Sequence, residues 1–347
     1  MTKSHTFCRR ALLAWAAFGL ASALVLVACN RGKGRVLEIA YVSAPQTNLR
    51  DRVALAYNKV GVVKNGERVE VLDHDRRFVK VRTASGAVGW MEQRSLVSQE
   101  VFDELQKLIR ENQNDPVQAQ GTARNDTNLH IEPGRDTGHL YQISSGEKVA
   151  LLKRGTAEKP GTVAPPLRAG AKADEKKAPP TPVMEDWWLV RDSHGRVGWV
   201  LARMVDLDLP LEVAQYAEGQ RIIAYFVLNE VRDGDKKVPQ YLTVLTEPKD
   251  GLPFDFNQIR VFTWNVKRHR YETAYRERMQ GVLPVAVAQE NFDKEGTLPV
   301  FVIRVRDDSG NVSERKYKLN TPIVRRVYAP GEEPAHATPK RTARRRR

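Results

Sequence analysis

The chain reads as an all-β protein made of two copies of a small β module, a third antiparallel β-rich region and one connecting helix. Three observations predict this class. The first is an internal repeat. Thr47-Asn48-Leu49 recurs 80 residues on as Thr127-Asn128-Leu129, and Gly66-Glu67-Arg68-Val69 recurs at the same offset as Gly146-Glu147-Lys148-Val149. Phe78-Val79-Lys80-Val81-Arg82 then recurs 109 residues on as Trp187-Trp188-Leu189-Val190-Arg191, and Gly86-Ala87-Val88-Gly89-Trp90 as Gly195-Arg196-Val197-Gly198-Trp199. The two offsets differ by 29 residues, the length of one insertion inside the second copy. A repeat constrains architecture more strongly than any local pattern. The second observation is short alternating apolar segments bounded by Asn-Gly, Asp-Gly and Ser-Gly pairs, a strand-and-turn signature. The third is a single stretch of helical period.

Residues 36–97 form the first copy. Val36–Val42 is its first strand, and Asn65-Gly66 before Arg68–Leu72 is a hairpin signal. Residues 98–118 are the connector, where Val101, Leu105, Leu108 and Ile109 recur at helical spacing and Asp115-Pro116 stops the helix. Residues 119–207 form the second copy, with its insertion at about 155–184. That stretch is Pro, Ala, Gly and Lys with almost no large apolar residue, so it cannot bury enough surface to order itself. Its Pro179-Pro180-Thr181-Pro182 has polyproline character and reads as an extended spacer.

Residues 212–328 are the third region, which matches neither copy. Strands are expected at 221–230, 240–246, 258–264, 270–276, 282–288, 300–306 and 313–319, a pattern that suits a β-sandwich or a meander barrel alike. At the hairpin between two of them, Lys267, Arg268 and Arg270 form a candidate anionic-polymer patch, with Tyr271, Thr273 and Tyr275 expected on one strand face. Residues 329–347 are a basic tail expected to be disordered.

The net charge of +14 and the pI near 9.8 favour anionic partners and say nothing about fold. Lys340, Arg341 and Arg344 to Arg347 concentrate part of that charge at the C-terminus.

Residues 1–28 read as an export signal: Lys3, Arg9 and Arg10 precede the apolar run Ala11–Val27. Leu26-Val27-Ala28-Cys29 resembles the lipobox of bacterial lipoproteins. That resemblance implies a diacylglycerol on Cys29, cleavage before it, and a membrane-anchored protein facing the periplasm or the cell exterior. Cys8 would leave with the signal, so the mature chain would contain neither a disulfide nor a cysteine nucleophile. An exported protein of this kind meets no nucleic acid.

Each copy resembles a bacterial SH3-like (SH3b) domain. The resemblance rests on the Asn-Leu segment, the Gly-Glu-x-Val strand, the aromatic-x-x-Val-Arg strand and the closing Gly-x-Val-Gly-Trp. It implies two small, strongly bent barrels, with Gly89 and Gly198 at a close backbone approach. The loop after Asn-Leu departs from the family's Arg-Ser-Gly-Pro: here it runs Arg50-Asp51-Arg52-Val53 and His130-Ile131-Glu132-Pro133. In the family these modules often hold envelope enzymes on peptidoglycan, or hold peptides. The candidate ligand-binding residues are then Trp90, Trp199, Tyr57, Tyr141 and Trp187; the plain alternative is that these rings fill the two cores.

Hydrolase signals are weak. Asp136-Thr137-Gly138 spells an aspartic-protease triplet, but Gly134-Arg135 before it points to a turn, and that chemistry needs two carboxylates sharing a proton. The seven His are scattered with no HExxH, so no metal and no cofactor is expected. The expected function is a non-catalytic, lipid-anchored cell-envelope binding or scaffold protein. Its partners would be the membrane, through the anchor, and peptidoglycan or another anionic envelope polymer, or an envelope protein. Two alternatives stay open: an envelope hydrolase with its active site in residues 212–328, and a protein–protein adaptor that binds no wall polymer.

Overall fold

A computed structural model describes residues 35–161 and 182–328. Cys29 and the export signal, most of the insertion with the Pro-rich motif, and the basic tail lie outside the described residues. The chain is mostly β, as expected, and divides into two compact units, one ending at Gln99 and the other beginning at Glu100.

The first unit contains one seven-stranded antiparallel sheet: β1 (Glu38–Val42), β2 (Gln46–Arg50), β3 (Lys59–Lys64), β4 (Arg68–Asp75), β5 (Phe78–Thr83), β6 (Val88–Glu92) and β7 (Leu96–Ser98). The strands lie side by side in the order β3-β2-β6-β5-β4-β1-β7. Val42, Leu49, Val63, Val69, Val81 and Met91 fill its core. Asn65-Gly66 does make a turn, but not the expected hairpin. The Gly66 N–H donates to the Val42 carbonyl at 2.8 Å and the Asn65 side-chain amide to the Ser43 carbonyl at 2.9 Å, so the turn is tied to the end of β1. The chain leaving it therefore pairs along β1 instead of back along β3.

Helix α1 (Gln99–Asn112), all but its first residue in the second unit, leads into a second seven-stranded sheet: β8 (Ala119–Ala123), β9 (Thr127–His130), β10 (His139–Ile143), β11 (Lys148–Glu158), β12 (Met184–Asp192), β13 (Val197–Leu201) and β14 (Val205–Leu207). Its order, β10-β9-β13-β12-β11-β8-β14, repeats that of the first sheet strand for strand. Both sheets carry a register shift at the same repeat position, between Val71 and Asp73 and between Leu151 and Lys153. The corner glycines match too: an added Cβ would lie 2.8 Å from Leu49 at Gly89 and 2.6 Å from Leu129 at Gly198. The expected loop of the insertion is shorter than 155–184, because β11 continues to Glu158 in register with Met184 on β12.

After short helix α2 (Leu211–Ala214) comes the third sheet: β15 (Arg221–Asp233), β16 (Lys236–Thr246), β17 (Phe256–Asn265), β18 (Arg270–Asn291), β19 (Thr297–Arg306), β20 (Val312–Asn320) and β21 (Ile323–Val327). Among the described residues it is a simple meander with β15 and β21 at its two ends, which do not pair with each other, so it is open and not a closed barrel. Two strands expected separately are one. β18 pairs with β17 up to Gly281 and with β19 from Gly281 onward, and the sheet folds over there. Phe256 occupies the corner: a Cβ on Gly281 would lie 2.0 Å from its ring. The strand β21 has no counterpart in the sequence-based reading.

The second module and the third sheet share one core, in which Trp188, Val190 and Val205 join Ile223, Phe256, Phe301 and Tyr317. Buried polar links cross it. The buried Gln118 amide accepts from Val285 N–H at 2.7 Å and donates to the Val285 carbonyl at 3.3 Å, where β18 breaks register with β19. Arg154 donates to Asp186 Oδ1 at 2.6 Å, to the Phe254 carbonyl at 2.9 Å and to Asp255 Oδ1 at 3.3 Å.

Candidate functional site

In the first module, Val79, Val81 and Met91 point into the core. Alternation then puts Phe78, Lys80, Arg82 and Trp90 on the opposite face of β5 and β6. Lys80 lies opposite Trp90 in the ladder, and Arg50 of β2 lies opposite Trp90 on the other side. The Arg50 guanidinium sits 4.3 Å from the Tyr57 ring centroid and 5.1 Å from that of Phe78, a cation held between two aromatic faces. Arg77 lies 5.4 Å from the Phe78 ring.

Tyr57 comes from the loop between β2 and β3. Asp51 fixes that loop, accepting from the Asn58 backbone N–H at 2.9 Å and its side-chain amide at 3.0 Å. The bond from Arg52, and then that N–H, hold the Asp51 carboxyl down at about 2. Tyr57 is 38% exposed and Trp90 half-buried, so neither is a core residue. The arrangement offers guanidinium and ammonium donors beside flat apolar rings. It suits an anionic or polar group carried on a body that can stack.

The second module carries other residues at the same positions. His130 replaces Arg50, Thr137 replaces Tyr57, Trp187 replaces Phe78, Leu189 replaces Lys80 and Trp199 replaces Trp90. Trp187 is 2% exposed and meets the His130 ring edge-on at 5.3 Å between centroids. His130 Nδ1 lies 3.2 Å from the Thr137 carbonyl oxygen. Burial, then the neighbouring His139, pushes the His130 imidazole down to about 4. A cavity of about 250 Å³ opens here, lined by Asn128, His130, Arg135, Gln142, Trp187 and Met204 among others. Arg135 donates to Glu185 at 2.5 and 2.7 Å and holds that carboxyl below its ordinary range.

Trp199 lies opposite His130 in the ladder but outside that cavity's lining, packed with Leu152, Leu189 and Val197 beneath Leu108 and Ile109 of α1. Tyr141 is apart from both, under the Arg196 guanidinium at 5.0 Å and against the core. The five candidate rings thus do not form one groove. Tyr57 and Trp90 share the first module's face, Trp187 lines a cavity, and Trp199 and Tyr141 are packing residues. Arg50 and Phe78 join this face without standing out in the sequence as ligand-binding residues. The repeat itself pointed to Phe78, since it stands where the second copy has Trp187.

At the third sheet's hairpin, Arg268 and Arg270 both bond to Glu272 Oε1, at 3.1 and 3.2 Å, while Lys267 is exposed beside them. The Asn265 amide, then the two arginines, hold Glu272 below its usual range. The expected stripe of Tyr271, Thr273 and Tyr275 on one face does not form. Thr273 pairs with Phe262 and Tyr275 with Val261, so Ala274 is an extra residue and the faces exchange across it. Tyr271 packs on Trp264 and Tyr241, and Tyr275 on Tyr317.

Asp136-Thr137-Gly138 lies in the loop between β9 and β10. One set of possible metal ligands exists among the described residues: atoms of Glu147, Asp192 and His194 lie within 4.8 Å of one another. Asp192 is already committed, accepting from the N–H groups of His194 and Arg196 at 2.9 and 2.8 Å and from Arg196 Nε at 2.5 Å. A guanidinium fills the cation's place, and the cluster serves the β12–β13 turn. Among the described residues no helix is long and apolar enough to cross a membrane.

Residues 45–97 match the family model of the bacterial SH3 domain. No curated protein matches the chain. Among solved structures, an NlpC/P60 family protein from Bacillus cereus is 11% identical, with 82% of this chain and 95% of that chain covered and a TM-score of 0.22. NlpC2 from Trichomonas vaginalis is 10% identical over 84% of this chain and 95% of that one, with a TM-score of 0.17. NlpC1 from the same organism is 10% identical over 82% and 89%, with a TM-score of 0.17. Scores this low carry no argument about fold or function, whereas the family match places a bacterial SH3 domain at residues 45–97.

Proposed function

We propose that this is a non-catalytic, lipid-anchored cell-envelope protein whose SH3-like modules serve binding and scaffolding. Its ligand is peptidoglycan or another anionic envelope polymer. The observation that carries this reading is the first module's outward face, where Arg50 lies between Tyr57 and Phe78, next to Trp90 and Lys80. Domains of the matched family commonly bind peptidoglycan or cell wall. Cations beside the exposed Tyr57 ring and the half-buried Trp90, with Phe78 buried behind Arg50, are chemistry that suits a wall polymer with carboxylates and flat sugar faces. Anchoring rests on the lipobox-like Leu26-Val27-Ala28-Cys29, which would place acyl chains on Cys29, and stable attachment takes more than one such chain.

Co-sedimentation of the full chain with purified sacculi tests the binding. Retention without released fragments is expected, and Arg50→Ala should weaken it by roughly tenfold, the equivalent of about 1.4 kcal/mol. Soluble muropeptides in the supernatant would turn the reading to a hydrolase. No retention at all would leave the protein-adaptor role. Labelled palmitate should enter the wild type and not Cys29→Ala; equal labelling of the two removes the anchor.

A further inference from the structure

We propose that the two modules have divided one duplicated surface between them. The first module presents it to a ligand, and in the second helix α1 occupies the part around Trp199, so each chain offers that part of the face once instead of twice. This rests on the binding face described above.

Trp90 and Trp199 stand at the same place in two sheets of the same strand order. Around Trp90 the neighbouring positions are polar or open: Lys80 on β5, Arg50 on β2, and Val88, which is 40% exposed. Around Trp199 the same positions are Leu189, His130 and Val197, and Val197 is 0% exposed. The occupant is helix α1, whose Leu108 and Ile109 join Leu152, Leu189, Val197 and Trp199 in one apolar cluster.

The helix is held at its C-terminal end by residues of that same face. Arg191, the counterpart of Arg82, donates to the carbonyls of Asn112 and Asp115 at 2.8 and 3.2 Å. Lys153 donates to Asn112 Oδ1 at 2.7 Å and pairs with Asp115 at 2.7 Å. Cations on the open carbonyls of a helix end are a stabilising cap. In the first module Arg82 is instead paired with Glu70, at 2.6 and 2.8 Å, leaving the outer face without such an anchor for a helix. Exchanging Lys80 for Leu189 removes a ligand-binding charge and supplies the apolar contact a helix needs. One set of exchanges therefore accounts for both the loss of a ligand face and the gain of an internal one.

The test compares Trp90→Ala with Trp199→Ala in the full chain, by sacculus co-sedimentation and by thermal unfolding. Trp90→Ala is expected to cut retention about tenfold and to move Tm by only about 2 °C. Trp199→Ala is expected to lower Tm by roughly 5 °C or more, while the folded protein keeps its retention within about twofold. If Trp199→Ala does not fold, Trp199→Phe replaces it in both measurements. Equal losses of retention in the two variants would overturn the division. Wild-type protein that fails to sediment would sink the wall-polymer reading instead. Thermal unfolding then still decides: a loss of Tm confined to Trp199 supports the division, and equal losses at both positions overturn it.

Discussion

His130 is enclosed by the Trp187 ring on one side and the His139 ring on another, with Thr137 taking its Nδ1. In that enclosure a positive imidazolium loses water without gaining a counter-ion, which is why its value falls to about 4 from 6.5. Folding thus favours the neutral ring. Above about pH 6.5 both folded and unfolded chains leave it neutral, and its contribution is complete. As pH falls from there toward 4, the unfolded chain takes up a proton that the folded one refuses, and stability is lost. The shift taken whole would amount to about 3 kcal/mol, but the ring is partly screened by solvent, so about 1–2 kcal/mol is expected. Urea unfolding at pH 7 and pH 4 should show that loss in the wild type and a smaller one in His130→Gln; equal slopes with pH would assign it to other groups.

Strand β18 shows what one residue does to an element. It is 22 residues long and serves two neighbours in turn, which is possible only because it bends at Gly281. The Phe256 ring, 0% exposed, lies where any side chain at that position would go. Gly281→Ala must displace the ring or straighten the strand. A cost of about 2–3 kcal/mol, typical of overpacking a tight core, is expected as a lower urea midpoint with little change in slope. An unchanged midpoint would mean that the corner is loosely packed. The bulge at Ala274 acts at the same scale: one extra residue sends Tyr271 and Tyr275 to opposite faces and so removes the aromatic half of the expected anionic-polymer patch.

At the scale of the molecule, Arg154 joins the second module to the third sheet. It is 5% exposed, as is Asp186, and that carboxylate also receives the Gly251 N–H at 2.8 Å. Burial raises the Asp255 carboxyl above its ordinary value, against the bond it accepts from Leu283 N–H and the pull of Arg154. Removing one partner of such a group leaves buried charge uncompensated, and Arg154→Met is expected to cost about 3–5 kcal/mol. Because the lost contacts lie between two elements that share a core, the variant's unfolding should broaden toward two steps. Arg154→Met with Asp186→Leu should recover part of the loss, since a buried ion pair can be replaced by apolar groups at little cost. Circular dichroism against guanidinium concentration reads both, and a wild-type curve from the single variant would show the network to be dispensable.

The all-β class, the duplicated module, the helix between the copies and the glycine corners before Trp90 and Trp199 are legible in the order of residues alone. These follow from short-range information: alternation, turn residues and a repeat at constant offset need only neighbouring positions to be read. That Trp90 and Trp199, identical in motif, differ in surroundings, that Asn65-Gly66 turns the chain onto β1, and that two expected strands are one emerge only from the folded chain. In each case burial or pairing is set by groups far along the chain: Leu108 and Ile109 over Trp199, the Val42 and Ser43 carbonyls at the turn, and Phe256 at Gly281. The local pattern at a residue specifies which way its side chain points, while what meets it there depends on the folded path of the whole chain.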